Sequence, residues 1–415
     1  MDGAPKPYRG IDAVFRELGA CVDRQWRAQG YAPAAFAAVA AEALEAMNCA
    51  QAVDPAEVLG LVASGDHIAN QVDIARNPAQ PPVTVFSNPR FFVHVYTWMD
   101  ATTALHSHSW SGAFQVLHGS SLSSRYAFRL AGEDYRGIAH GELSYQGSKR
   151  LTRGTVERVE AGRGYVHSLF HLERPSMTIV VRTSGTLGPQ GNARYIEPGL
   201  ELHASVEPAF APARQALEAL YALDREAFWG RARLLLESGD LEHVFLTCVT
   251  LERLCRAERD RVKALYCPLL DSRFSGPIAE LFPQAIANWN RQETLCRRRV
   301  SVKTPAALAL MGVLAQVPSA ATAEGLATVF GQAGPRAGLK RAFRELHEAA
   351  VVRLGPSPEV AEQLGALAAD VLAGNRDWPP SGTSDHMLLT ALKQDRYFGP
   401  LLGTDVRQQP SAQRR

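Results

Sequence analysis

The sequence predicts an α+β multidomain protein in which a small antiparallel β-barrel lies between an N-terminal helical segment and a large C-terminal all-α region. With 415 residues, the chain is too long for one ordinary hydrophobic core. Its middle third is rich in β-branched and aromatic residues, with turn residues at intervals of about ten. Ala, Leu and Glu dominate the N-terminal flank, and apolar residues recur at helical spacing in the C-terminal flank. The predicted parts are residues 1–75, 76–205 and 206–405, followed by a disordered tail over 406–415.

The N-terminal segment shows strong helix-forming composition and a clear helix start. Residues 33–45 are almost entirely Ala, Leu, Glu and Val. Asp54 followed by Pro55 predicts a further helix, with the Asp side chain as N-cap and Pro in the first helical position. No catalytic motif occurs here, so we expect this segment to pack against the β-barrel.

The middle segment contains short runs typical of an antiparallel barrel or sandwich. Gly, Pro, Asn and Asp separate these runs, as turns between strands require. The predicted strands are residues 83–86, 91–98, 105–119, 123–129, 154–159 and 177–183.

The C-terminal half returns to helical spacing of apolar residues. Thr304 followed by Pro305 predicts another capped helix. The other predicted helices are residues 213–223, 241–254, 339–352 and 358–372. About two hundred residues of helix can bury a core of their own, but their pattern shows no internal repeat and indicates no function.

Composition excludes several classes of protein. Hydrophobic content of 46% and a formal charge of +2 are ordinary for a soluble protein and predict neither nucleic acid nor a membrane as partner. The triplet Arg297-Arg298-Arg299 is interpreted as a solvated face. Six cysteines form no C-x-x-C pair, and the start of the chain lacks the apolar core of a signal peptide, so we expect a cytoplasmic protein. Phosphate-binding and common hydrolase motifs are also absent.

Three histidines predict a metal site in the β segment. His106 and His108 are two residues apart on a predicted strand, so their imidazoles face the same side. His167 occurs in a similar setting about sixty residues later. Neutral imidazoles bind Fe, Ni, Cu and Zn, and three of them leave coordination positions open for substrate or water.

These residues resemble the two motifs of the cupin superfamily. His106, His108 and Gly119 are similar to the first motif, and His167, preceded by Ala161-Gly162-Arg163-Gly164-Tyr165-Val166, is similar to the second. The resemblance covers about residues 80–190. It implies a jelly-roll barrel with a metal ion held by the three histidines.

One departure from the cupin pattern indicates which subgroup of the superfamily the chain resembles. Many cupins carry a Glu ligand where this chain has Gly112 or Ala113. Its absence resembles the three-histidine subgroup, of which the cysteine dioxygenase-like thiol dioxygenases are the best known. That resemblance implies Fe(II), dioxygen and a small-molecule substrate. Ni, Mn, Cu and Zn remain alternative metals.

A second departure weakens the thiol dioxygenase assignment. Those enzymes carry a Ser-x-His-x-Tyr arrangement after the third ligand, where this chain has Thr178, Val180 and Arg182. The leading hypothesis is therefore a non-haem Fe(II) oxygenase whose helical regions close the barrel mouth or form a homodimer interface. The alternatives are a thiol dioxygenase proper, a non-oxidative metal-cupin enzyme and a cupin-fold ligand sensor with a helical output domain.

Further residues are candidates for the surroundings of the metal. His171 is an alternative third ligand or a base near the metal, because it lies on the same strand face as His167. A structural role is nevertheless the preferred interpretation of His171, and packing in the core is the preferred interpretation of the other candidates. The residues considered for the metal's surroundings or the substrate pocket are His171, His94, His118, Tyr165, Arg182, Trp110 and Tyr126.

Overall fold

The structure is a computed structural model that describes most of the chain. The described residues are 9–64, 71, 79–135, 137–185, 191–274, 276–318, 321–331, 335–349, 356–373, 375, 377–395 and 398–402. The predicted boundary at residue 75 and the predicted disordered tail over 406–415 lie outside the described residues.

The described chain contains a run of strands between two groups of helices. The strands are β1 Pro82–Ser87, β2 Phe91–Trp98, β3 Thr103–Ser107, β4 Gly112–His118, β5 Ser121–Tyr135, β6 Ile138–Leu151, β7 Val156–Val159, β8 Val166–His171, β9 Ser176–Thr183, β10 Ala193–Ile196 and β11 Leu200–His203. The helices are α1 Arg9–Ala28, α2 Phe36–Met47, α3 Cys49–Ala52, α4 Pro55–Ser64, α5 Val206–Leu223, α6 Arg225–Ser238, α7 Leu241–Leu254, α8 Arg259–Arg273, α9 Pro277–Arg298, α10 Pro305–Gln316, α11 Thr322–Phe330, α12 Pro335–Glu348, α13 Pro358–Leu372, α14 Ser384–Gln394 and α15 Gly399–Leu402.

The strands form two antiparallel sheets. The first sheet has the order β1-β2-β9-β4-β7. The second has the order β10-β11-β6-β5-β8-β3, and β3 pairs again with β10. An antiparallel β segment between helical segments, as predicted from the turn spacing, is confirmed. The cupin-like jelly roll remains a prediction.

The N-terminal helices cover one face of the first sheet. Strand residues point alternately to opposite faces, and one set of alternate residues on β2, β4 and β9 is mostly apolar. Val95, Ala113 and Ile179 from this set pack with Phe15 of α1 and Phe36 of α2. The predicted cap of α4 is confirmed, because the backbone N–H of Ala56 donates to Asp54 Oδ1 at 2.9 Å.

The opposite face of the first sheet packs against the second sheet. Phe114 and Val180 from the first sheet form one buried cluster with Leu169 of β8 and with Tyr165, just before β8. His167 shares a strand face with Leu169, because the two residues are two positions apart on β8. The predicted metal ligands therefore border the space between the sheets.

The C-terminal helices pack on the other face of the second sheet. Leu122 and Phe170 belong to the core formed with helices α10 to α14. Gly312 of α10 lies so close to the Phe170 ring that an added Cβ would be 3.0 Å from it. The predicted cap of α10 is confirmed, because Thr304 accepts from the backbone N–H of Ala307. Among the described residues, no helix combines the length and apolar character that crossing a bilayer needs.

The interpretation of Arg297-Arg298-Arg299 as a solvated face is wrong for its last member. Arg299 is fully buried. Its guanidinium donates to the backbone oxygens of His171 at 3.0 Å, Met99 at 2.8 Å and Glu173 at 3.0 Å. The side chain joins the end of α9 to the ends of β2 and β8 and provides hydrogen-bond donors for carbonyl groups at or just beyond those ends. A run of like charges therefore includes a structural residue here.

Gly112 permits the close contact between β4 and β9, and its replacement tests that contact. A Cβ at this position would overlap the Val181 carbonyl oxygen and lie 2.9 Å from Arg182 Cα. We expect Gly112→Ala to lower the free energy of unfolding by about 1–3 kcal/mol, because backbone atoms of a central strand would have to shift. Chemical denaturation measures the effect.

Gly164→Ala is the matched control for this substitution. Gly164 also lies in the β segment, but no heavy atom lies within 4 Å of its would-be Cβ. Equal stability of the Gly112→Ala and Gly164→Ala variants would contradict the proposed backbone contact.

Candidate metal centre

The three predicted ligand residues lie together in the structure. His106 of β3 stands directly opposite His167 of β8 in the strand register. His108 follows the end of β3, where it forms a bridge with Ala161. One nitrogen from each ring lies within 4.8 Å of the others, and His108 Nε2 is 3.0 Å from His167 Nε2. The half-buried His106 and His108 and the buried His167 thus form a cluster of three imidazoles.

A backbone contact fixes the orientation of the His106 ring. His106 Nδ1 is 2.8 Å from the carbonyl oxygen of Ala104. Since a carbonyl only accepts hydrogen bonds, Nδ1 carries the proton and Nε2 keeps its lone pair. A hydrogen bond of this kind is the usual partner of a metal-binding histidine.

All three imidazoles are held in the neutral form. Burial lowers the pKa of His106, although its contact with the Ala104 carbonyl opposes the shift. Burial, followed by the charges of His106 and His167, lowers the pKa of His108 well below its usual value. Burial, followed by the charges of His106 and Arg125, lowers the pKa of His167 well below its usual value. Neutral imidazole is the form that binds a metal ion, so the ligands need not lose protons near pH 7.

The donor atoms fit a metal ion. Two neighbouring ligands about 2.1 Å from a metal and about 90° apart are separated by about 3.0 Å, which is the spacing between His108 Nε2 and His167 Nε2. The cluster of metal-binding groups contains no carboxylate. Three imidazoles suit Fe, Ni, Cu or Zn better than Mg or Ca, which prefer oxygen ligands.

The structure explains why positions 112 and 113 supply no carboxylate. Gly112 has no room for a side chain because of the Val181 carbonyl. Ala113 belongs to the core under the N-terminal helices, so its Cβ points away from the space between the sheets. Both positions are therefore closed to a fourth protein ligand.

Three of the predicted surrounding residues lie beside the cluster. The ring of Trp110 is 4.1 Å from that of His108, and the ring of Tyr165 is 5.1 Å from that of His167. Arg182 is buried, and its charge acts on His108. Aromatic and cationic groups thus lie beside the imidazoles.

Two other predicted histidines lie between the sheets but outside the cluster. His171 Nδ1 is 2.9 Å from Ser121 Oγ, and its ring stacks on Trp98 at 4.7 Å. The Tyr96 hydroxyl and His94 Nδ1 share a hydrogen bond of 3.2 Å. Neither histidine belongs to the group of potential metal ligands around His167.

The remaining two candidates point elsewhere. The His118 side chain is exposed at the end of β4. Tyr126 packs on the helix-covered face of the second sheet, and its hydroxyl donates to the Gln316 carbonyl of α10 at 2.9 Å. The structure thus places both side chains away from the three imidazoles.

Two arginines beside the cluster were not among the predicted site residues. Arg125 of β5 is directly opposite His167, and Arg194 of β10 is directly opposite His106. Directly paired residues share a sheet face, so these arginines flank the two histidines across four strands. No local motif marks them, because only the strand register brings these distant segments together.

His171 gives the protein a pH dependence that can be measured. Burial, and then the Arg299 charge, lowers the pKa of His171 to about 3. The unfolded chain binds this proton more tightly, so the contribution of neutral His171 to stability is complete above about pH 6.5 and is lost as the pH falls toward 3. Between pH 7 and pH 5 the loss is about 2 kcal/mol.

The His171→Asn variant isolates this effect. Between pH 7 and pH 5, we expect the free energy of unfolding of this variant to fall by about 2 kcal/mol less than that of the wild type. Urea denaturation at the two pH values measures the difference. An identical fall in both proteins would show that His171 is not neutral and buried.

Comparisons with known proteins find only distant structural similarities. No family model matches the sequence, and no curated protein matches it. A hydroquinone 1,2-dioxygenase from Sphingomonas sp. TTNP3 is 15% identical over 27% of this chain and 70% of its own, with a TM-score of 0.20. The DMSP lyase DddQ from Ruegeria pomeroyi is 15% identical over 44% of this chain and 95% of its own, with a TM-score of 0.24.

A third solved structure is similarly distant. An oxalate oxidase is 13% identical over 49% of this chain and 79% of its own, with a TM-score of 0.22. Each of the three covers less than half of this chain. Neither a family nor an activity is assigned to this protein from them.

Proposed function

We propose that this protein is a non-haem, metal-dependent cupin oxygenase in which His106, His108 and His167 hold Fe(II). The observation that supports the proposal most strongly is the convergence of three neutral imidazoles, without a carboxylate, between two antiparallel sheets. The sequence resemblance to three-histidine cupins agrees with this arrangement. The proposed reactants are a small molecule and dioxygen.

Several residues around the three imidazoles have a defined role in the proposed function. Fe(II), when bound, supplies redox and Lewis-acid chemistry. The Ala104 carbonyl holds the His106 tautomer, so that its Nε2 lone pair faces the cluster. Trp110 and Tyr165 border the imidazoles and limit the access of water to them. The three ligands add no negative charge, so the charge of the metal is not neutralised by the protein.

The thiol dioxygenase proper is the weaker alternative. Thr178 Oγ1 lies 3.4 Å from Trp98 Nε1, which donates to it. Val180 belongs to the apolar cluster between the sheets. Val180 stands where the thiol dioxygenase arrangement has its His, and a Val side chain has no group that could transfer a proton. A thiol substrate is therefore not part of the proposal.

Oxygen uptake and metal content test the proposed function together. Protein reconstituted anaerobically with Fe(II) is exposed to air-saturated buffer with a panel of thiols, amino acids and organic acids. We expect about one metal per chain and substrate-dependent oxygen consumption, which His108→Ala abolishes. Substrate conversion without oxygen uptake would instead indicate a non-oxidative enzyme. Ligand-dependent thermal shifts without conversion would indicate a sensor.

A further inference from the structure

Arg125 is held in a fixed position beside the three imidazoles. It lies directly across the β5–β8 ladder from His167. Its guanidinium carbon is 4.1 Å from the centre of the Tyr165 ring, and that ring is 5.1 Å from His167. The contact between a guanidinium and an aromatic face restrains the cation without neutralising it.

No carboxylate of the described residues neutralises Arg125. Its Nε is buried and makes no hydrogen bond with any described residue. Arg194 holds the matching position beside His106 but differs in its partners. It forms an ion pair with Glu207 at 3.2 Å and packs on the Trp289 ring at 3.5 Å. The charge of Arg194 is thus offset by Glu207, whereas Arg125 has no ion pair among the described residues and its charge acts on His167.

The charge balance of the site calls for an anion. Three neutral imidazoles leave the full charge of a divalent ion in place, and Arg125 adds another positive charge on the same side. Positive charges at a partly desolvated site are costly unless a negative group lies between them. A planar carboxylate suits a guanidinium, which can donate two parallel hydrogen bonds to it.

We propose that Arg125 binds the carboxylate of an organic acid substrate beside the metal. The aromatic rings of Trp110 and Tyr165 favour an organic anion over a strongly hydrated inorganic one, because they offer apolar surface next to the cation. This substrate class rests on the proposed function, since it places the substrate at the three-histidine metal site.

Binding of simple carboxylates to the Zn(II)-loaded protein tests the inference without turnover, because Zn(II) has no redox chemistry. The probes are acetate and benzoate, their amides acetamide and benzamide, and inorganic phosphate, each titrated calorimetrically. Arg125→Gln removes the cation and Arg125→Lys keeps it. Arg129→Gln is the control, because Arg129 is an exposed residue of the same strand whose ion pair is with Glu142.

We expect the wild type to bind at least one carboxylate about tenfold or more tightly than its amide, as a charge-assisted hydrogen bond implies. Arg125→Gln is expected to remove that preference at unchanged zinc content, whereas Arg129→Gln and, in part, Arg125→Lys keep it. Equal carboxylate affinity in Arg125→Gln and wild type would overturn the inference. Phosphate binding stronger than carboxylate binding would overturn the organic class of ligand.

The metal-free protein separates failure of this inference from failure of the proposed function. If the wild type holds no zinc, the proposed metal site fails. An Arg125-dependent preference for carboxylates in that protein would still support the anion site. Full zinc content without any carboxylate preference would overturn the anion site alone.

Discussion

Replacing His106 with alanine is expected to reduce the bound metal to less than about a tenth of the wild-type content. The variant removes one of the three proposed ligands, and the backbone pairing of β3 does not depend on the His106 side chain. Loss of a group that only orients a ligand already costs about 10–100-fold in metal affinity, so loss of a ligand should cost at least as much. Elemental analysis after dialysis against a low metal concentration measures the content.

His118→Ala is the matched control for this experiment. His118 is exposed at the end of β4 and does not belong to the imidazole cluster. It should retain the wild-type metal content. If His106→Ala and His118→Ala retain equal amounts of metal, the metal is bound elsewhere. Circular dichroism of both variants checks that each remains folded.

Replacing Arg299 with alanine is expected to lower the free energy of unfolding by about 3 kcal/mol or more. The substitution leaves the carbonyl oxygens of His171, Met99 and Glu173 without their guanidinium donor. Burial lowers the pKa of Arg299 to about 10, so the side chain stays charged at pH 7 and its hydrogen bonds are charge-assisted. Chemical denaturation followed by tryptophan fluorescence measures the change.

Arg297→Ala provides the comparison within the same arginine triplet. Arg297 is half exposed and forms an i,i+4 ion pair with Glu293 at 3.1 Å. Such a pair contributes about 0.5 kcal/mol or less. Arg299→Lys should fall between the two alanine variants, because Lys keeps the charge but cannot reach three carbonyls in the guanidinium geometry. Equal stability of Arg297→Ala and Arg299→Ala would contradict the structural role of Arg299.

Local sequence signals predicted much of the fold. The cap residues Asp54 and Thr304 correctly marked the starts of α4 and α10, because a side-chain cap needs only neighbouring residues. Short runs of β-branched and aromatic residues marked β2 and β9, which are buried on both faces. The predicted helix at 358–372 matches α13 Pro358–Leu372.

Helix α9 was not predicted, because its burial pattern hides its periodicity. Trp289, Asn290, Arg291 and Gln292 are consecutive residues of this helix, and all four are buried. A helix enclosed on several sides has no single apolar stripe. Its polar side chains are instead matched by carbonyl groups of neighbouring helices, as Asn290 donates to the Val249 carbonyl at 3.2 Å. Such matching depends on tertiary contacts that the sequence alone does not reveal.

Local sequence likewise predicts some residues of the candidate site but not others. His106 and His108 are close in sequence, and the strand period alone predicts that they share a face. Arg125 and Arg194 come from other strands, and only the register of β5 and β10 brings them beside the histidines. Short motifs therefore predict the proposed metal ligands more readily than the residue proposed to bind the substrate.

Anomalous diffraction at the iron edge, from crystals grown anaerobically with Fe(II), tests the metal centre most directly. We expect one anomalous peak per chain between His106, His108 and His167, about 2.0–2.2 Å from one nitrogen of each ring. The peak should be absent from His106→Ala crystals. Anomalous density at any other place in the chain, with none between the three imidazoles of the wild type, would contradict the proposed three-histidine metal centre.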